Sequence, residues 1–155
     1  MNEPTKMTIA ASYTLYDIVN KIIYNDDQTE RPLDFRVKYK LLRNRDLLSK
    51  DVSFFENERN QLIRQLGQSD ENGTIKVTDE NMPQFQKELQ NLLKIEVEHS
   101  LLKIKPEDID NLDNIDLDSK SLSLFAAAMI DDPSYEEDIK TPIEKEESVS
   151  SESNN

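Results

Sequence analysis

The stretch from Pro32 to Gly67 constrains this chain more than any other, because it is long, keeps one mostly apolar period throughout, and has a start signal at one end and a stop signal at the other. Val37, Leu41, Asn44, Leu48, Val52, Phe55, Arg59, Leu62 and Leu66 follow steps of three and four, which at about 100° per residue place them in one stripe of a helix. Pro32 suits a first helical turn, and Gly67 is the residue that most easily closes a helix in the left-handed conformation. Such a stripe is the seam of a coiled coil or of a helical hairpin. The two polar members, Asn44 and Arg59, are the kind of exception that fixes register or oligomer number in a coiled coil.

At 155 residues the chain supports one domain with a tail, and 35% hydrophobic against 33% charged residues suits helices exposed on most of their surface. With only two glycines, glycine-rich phosphate loops and multi-turn β architectures are disfavoured, and the absence of cysteine excludes disulfides, thiolate metal sites and thiol nucleophiles. Met1 to Lys6 lacks the order of a signal peptide, and no apolar run approaches the roughly 18 residues of a membrane span. A soluble protein used without export is expected. Charge is unevenly spread: residues 1 to 104 carry 17 acids and 15 bases, residues 105 to 155 carry 15 acids and 4 bases, and Arg31 to Lys50 reverses the sign with seven bases and two acids.

In chain order, residues 1 to 11 read as a flexible N-terminus. Leu15, Ile18, Val19, Ile22 and Ile23 then predict a helix of about three turns from Ser12, with Thr14 and Asp17 resembling a capping box. Residues 25 to 30 form a polar loop that lets this helix fold back, and Phe35, Tyr39 and Leu42, opposite the main seam, offer it a landing patch. After Gly67, Asn72-Gly73 predicts a turn with positive φ, Thr74 to Val77 a short strand, and Asp79 or Asn81 the cap of a helix with Pro83 in its first turn and Phe85, Leu89, Leu92 and Leu93 on its apolar face. Residues 95 to 104 read as a strand, with helix as the alternative, and the strand would pair with residues 74 to 77. Lys105 to Asp108 opens a turn, and Ser119 to Ile130 predicts a last helix with Leu122, Phe125, Ala126 and Met129 inward. The fold expected is mainly α with minimal β: a long helix and a shorter antiparallel one in a hairpin or coiled coil, a small two-stranded element, one domain over 12 to 130, and a disordered acidic tail over 131 to 155.

No residue set identifies a reaction. His99 is the single histidine, without an identifiable nucleophile or metal partner, and reads as a strand histidine with a solvated or hydrogen-bonded edge. Asp108, Asp110, Asp113, Asp116 and Asp118 suggest calcium, but a loop begun at Asp108 puts Leu112 at position 5, Asp113 at position 6 and Ser119 at position 12, so the EF-hand pattern fails. Interleaved Ile109, Leu112, Ile115 and Leu117 point to a segment packed by its apolar side. Arg36, Lys40, Arg43 and Lys50 form a basic flank beside the seam, with Lys38 and Arg45 on the other side. Nucleic acid is disfavoured as its partner by the net charge of −13. A solvated flank with Asp34–Lys38 and Asp46–Lys50 pairs, or an acidic tail laid against it, are the remaining readings.

The run from Glu58 to Gly67, then Asp70-Glu71-Asn72-Gly73 with Ile75 to Val77, then Phe85 to Val97, and a short apolar helix near Leu122 to Ile130 resemble a group of small phage and prophage proteins of unassigned function. The resemblance covers residues 12 to 131. It implies a phage setting, in the host cytoplasm during infection or in the virion, and brings no catalytic residues, cofactor or metal. The expected function is a non-enzymatic virion component or assembly factor, self-associating or binding other phage proteins through Val37, Leu41, Leu48, Val52, Phe55, Leu62 and Leu66. The alternative is an acidic inhibitor of a host defence nuclease, which would need its carboxylates fixed on a rigid surface.

Overall fold

The computed structural model describes residues 3 to 109 and 115 to 131. Asp110, Leu112 and Asp113 of the acidic run, and the acidic tail beyond Asp131, lie outside the described residues. The described chain is mainly helical with minimal β content: β1 (Thr5–Thr8), α1 (Ile9–Ile23), α2 (Phe35–Leu66), β2 (Gly67–Ser69), β3 (Ile75–Val77), α3 (Met82–Leu93), β4 (Glu96–His99), a 3-10 turn at Pro106–Asp108, and α4 (Ser119–Met129).

α2 runs 32 residues, about 48 Å at 1.5 Å per residue, and everything else is laid along it. It starts at Asp34, whose carboxylate accepts from the Arg36 amide at 2.9 Å, so Pro32 stands outside the helix. It ends at Gly67 with φ −102°, which is extended, not left-handed. Glycine is required there for a different reason. A Cβ would lie 2.4 Å from the Ile63 carbonyl oxygen and 2.8 Å from Lys76 O, because β2 starts at once and β3 folds back on it. The turn between them has its positive φ at Gly73, as its sequence predicts, with Asp70 Oδ1 accepting from the Asn72 and Thr74 amides.

α1 starts three residues earlier than its periodicity suggests. Thr8 is the N-cap, accepting from the Ala11 amide at 3.2 Å, while the Thr14 hydroxyl turns back to donate to Ala10 O. Residues 5 to 11, expected as a flexible N-terminus, therefore form β1 and the first turn of α1. β1 pairs antiparallel with β4, Thr5 opposite His99 and Thr8 opposite Glu96, whereas β3 pairs with β2. Of the strand expected over residues 95 to 104 only Glu96–His99 forms, and its expected pairing with residues 74 to 77 is not made: each strand finds another partner, and two small sheets replace one.

The core divides along α2. Around its first half, Val37, Leu41 and Leu48 join Leu15, Ile18, Val19, Ile22 and Ile23 of α1, Leu101 and Ile104, and Phe125, Ala128 and Met129 of α4. α1 and α2 are antiparallel, since Ser12 meets Asp51 and Asn20 meets Arg45. Farther along, Phe55 joins Ile9 and Leu92, flanked by Tyr13, Leu89, Leu93 and Val97, with the Tyr13 and Phe55 rings edge-on at 5.3 Å. α4 is held by Asp118, which accepts from the Ser121 amide at 2.7 Å, and its inward face is Phe125, Ala126 and Met129, with Leu122 left exposed. Segment 101 to 104 runs between α2 and α4: Ile104 N donates to Met129 O, and Asp131 N donates to Ile104 O.

Candidate functional site

Asn44, fully buried in the seam, holds a segment of its own chain. Its Nδ2 donates to Leu102 O at 2.9 Å and its Oδ1 accepts from Leu102 N at 2.7 Å, so one amide side chain satisfies both backbone polar groups of one residue. Its role is to dock residues 101 to 104, and a register device between chains is not needed to explain it. Arg59, the other polar member, is half-buried with its guanidinium 5.5 Å from the Phe55 ring centroid.

The residues proposed for association are thus placed unequally. Val37, Leu41, Leu48, Val52 and Phe55 are buried within the chain, whereas Leu62 and Leu66 are half-buried and lie in neither buried cluster. The seam is filled from inside over most of its length.

The three charged or hydroxylated residues that do meet are ones the sequence keeps far apart. Asp51 Oδ2 accepts the Ser12 hydroxyl at 2.8 Å and lies 2.5 Å from His99 Nε2, joining α1, α2 and β4. Ser, His and Asp invite comparison with a hydrolytic triad, but the order in space is different. In a triad the imidazole stands between nucleophile and carboxylate, and here the carboxylate stands in the middle. The Ser12 hydroxyl is fully buried and aims its proton at a carboxylate oxygen, so His99 has no access to it as a base. The arrangement supplies two charge-assisted hydrogen bonds that fix the crossing of three elements. His99 is a hydrogen-bonded strand histidine, as its sequence context suggests; its partners could not be found by spacing.

A cleft of about 560 Å³ opens where α1 ends, lined by Asp17, Asn20, Lys21, Tyr24, Arg31 and Asp116 among others. Lys21 pairs with Asp17 at 3.4 Å, and Arg31 Nη2 donates to Lys21 O at 3.4 Å, where a cation complements the helix C-terminus. Arg31 Nε is buried and has no hydrogen-bond partner among the described residues. Cations and carboxylates alternate around this cleft, so it presents no single charge to a ligand. Of the acidic run, Asp108 lies in the 3-10 turn, Asp116 lines the cleft, and Asp118 is spent on capping α4; the Ser121 amide holds its carboxyl below the ordinary value. Among the described residues no group of three or more His, Asp or Glu could hold a metal ion. Nor is any helix among them long and apolar enough to cross a membrane.

The outer face of α2 is the surface that stands out. Phe35 is 79% exposed, Tyr39 60% and Phe54 45%, so the first two are not the landing patch of α1 expected from the sequence; α1 packs on the seam instead, and of that patch only Leu42 touches the core. Beside these rings lie Arg36, Lys40, Arg43 and Lys50. Arg36 pairs with Asp34 at 3.5 Å, Lys40 Nζ donates to Lys103 O at 2.9 Å, and Arg43 and Lys50 are exposed. Lys38 pairs with Glu30 across the loop instead of with Asp34, and Arg45 donates to Asn20 and to the Tyr24 hydroxyl. Side chains of like chemistry therefore fall on one side: two adjacent rings one turn apart, then bases, on a helix held rigid from behind.

No protein-family model, curated protein or solved structure matches this chain.

Proposed function

We propose that this chain is a non-enzymatic structural or assembly protein of a phage, acting through protein–protein contacts made by its long helix, either as a minor component of the particle or as an assembly factor in the host cytoplasm. The observation that carries this reading is the outer face of α2, where Phe35 and Tyr39 stand exposed beside Arg36 and Arg43. Aromatic rings and arginine are the residues that dominate binding at protein interfaces, and a rigid helix presents them at little ordering cost. Half-buried Leu62 and Leu66, at the far end of the seam, add a second, smaller apolar strip on the opposite side of α2. With most of the seam filled from within, the outer face takes over the role that the sequence assigns to the seam.

Mass spectrometry of purified particles tests the reading. The wild-type chain is expected at a fixed copy number, or, for an assembly factor, bound to a particle protein in infected cells; Phe35→Ser with Tyr39→Ser should remove it from both. A double variant that assembles normally, or a wild-type chain found with neither, overturns the proposal.

A further inference from the structure

The outer face of α2 has a partner of complementary chemistry in the same sequence. Residues 132 to 155 carry eight carboxylates and two lysines, and within them Tyr135, Ile139 and Ile143 recur every four residues around Glu136, Glu137, Asp138 and Glu144. The face they would meet has rings at Phe35 and Tyr39 and bases at Arg36, Lys40, Arg43 and Lys50. Both sides therefore pair apolar residues with charge, and the charges are opposite.

The described chain also stops in the right place. Asp131 N donates to Ile104 O, and the neighbouring Lys103 O accepts from Lys40 Nζ, so the chain leaves the fold one strand's width from the basic flank of α2. Around the helix, Lys40 faces this exit, Arg36, Arg43 and Lys50 come next, and Tyr39 and Phe35 follow, all within about 140° of arc at about 100° per residue. Four residues of extended chain reach about 13 Å and eight about 26 Å, enough to bring Tyr135 from Asp131 onto the near part of that arc and Ile139 across the rest of it. Of the two acids in this part of α2 and its cap, Asp34 is engaged by the Arg36 amide and side chain, which leaves Asp46 as the one that opposes the approach.

We infer that the acidic segment around Tyr135 to Glu147 docks on the outer face of α2 of its own chain, its Tyr135 and Ile139 against Phe35 and Tyr39 and its carboxylates against Arg36, Arg43 and Lys50. The inference rests on reading this face as a docking surface and names its resident occupant. An outside partner then displaces the segment, and the partner that does so best carries the same pattern of acids around an aromatic or branched residue. The attraction is between solvent-exposed charges and is weakened by salt.

The chain has no cysteine, so Thr141→Cys gives a single attachment point for a spin label on the full-length protein. In low salt the amides of Tyr39, Arg43 and Lys50 are expected to lose more than half their NMR intensity and to regain it in high salt, while those of α3 are unaffected. Arg36→Glu with Arg43→Glu and Lys50→Glu should abolish the effect, with the remaining spectrum unchanged as proof of folding. A mixture of spin-labelled chain at natural abundance and unlabelled ¹⁵N chain reads transfer between copies. Broadening in that mixture assigns the face to a second copy and overturns the inference, as does broadening absent or centred elsewhere, or broadening that survives the charge reversal. A face that binds a particle protein and never this segment would retain the proposed function and defeat only this inference.

Discussion

The inner and outer faces of α2 both carry large apolar residues, and these meet opposite fates. Inward, Val37, Leu41, Leu48, Val52 and Phe55 are all covered, by α1 first, then by α4 with segment 101 to 104, and by α3 near Phe55. Outward, Phe35, Tyr39 and Phe54 meet none of those elements closely enough to be buried. The difference lies in what the rest of the chain can supply. α1 and α4 are short, strongly apolar helices with one partner face each, and α2's continuous stripe absorbs both. A periodic seam shows that a helix has a partner, and only the inventory of other amphipathic segments tells whether the partner is internal.

The contrast can be broken most directly at the inner face. Replacing Leu48 and Phe55 together with serine removes two fully or nearly buried side chains, and single truncations of this kind cost roughly 2 to 5 kcal/mol. The expected outcome is loss of cooperative thermal unfolding by circular dichroism. A folded protein of altered oligomeric mass would show that the seam serves contacts between chains after all. Asn44→Ala tests the polar member: it leaves the Leu102 amide and carbonyl unpaired in the interior, a loss of about 1 to 3 kcal/mol with increased hydrogen exchange at 101 to 104. Unchanged exchange there would detach Asn44 from its assigned role.

On the outer face the effect should nearly vanish. Phe35→Ser with Tyr39→Ser is expected to change the stability of the helical core by no more than about 0.5 kcal/mol per site, since the helices and strands leave both side chains mostly exposed. A large drop in Tm would mean that the fold itself covers them. The smallest effect concerns the caps. The amides of Arg36 and Ser121 hold the carboxyls of Asp34 and Asp118 below their ordinary value. A depressed folded pKa contributes stability that is complete above the unfolded carboxylate value and disappears as pH falls through the folded one. Fraying at the starts of α2 and α4, followed by Arg36 and Ser121 amide shifts, should accordingly appear only in the acid range, and Asp118→Asn should flatten the response at α4.

Much of the fold was legible in local signals. The extent of α2, the turn at Gly73, the strand at 96 to 99 and the inward face of α4 at Phe125 and Met129 follow from period, turn chemistry and capping residues. What escaped depends on distance along the chain. Thr5–Thr8 contains Met7 as its single apolar residue, too little alternation to announce a strand, and its partner β4 lies some ninety residues away. The Ser12–Asp51–His99 cluster spans three elements and has no spacing rule. The one usable hint was Asp51 itself, an acid placed directly beside seam residue Val52. Asn44 was visible as an anomaly, and its explanation required knowing that Leu102 passes the seam with its amide and carbonyl turned toward it. The exposure of Phe35 and Tyr39 was misread because apolar residues opposite a seam invite a second partner, and α1 has only one apolar face to give.

The pairing of β1 with β4 also sets an order of events during synthesis. α1 can meet α2 as soon as residues near Phe55 have been made, a local hairpin with little loop to close. β1 must wait for Glu96 to His99, and the first half of the core for Phe125 and Met129. Domains emerge from the ribosome N-terminus first, at about 5 to 20 residues per second. The hairpin therefore spends several seconds with Leu41 and Leu48 only partly covered and the Thr5–Thr8 edge unpaired, and that half-built interval is when this chain is most open to a chaperone or to a neighbouring copy of itself.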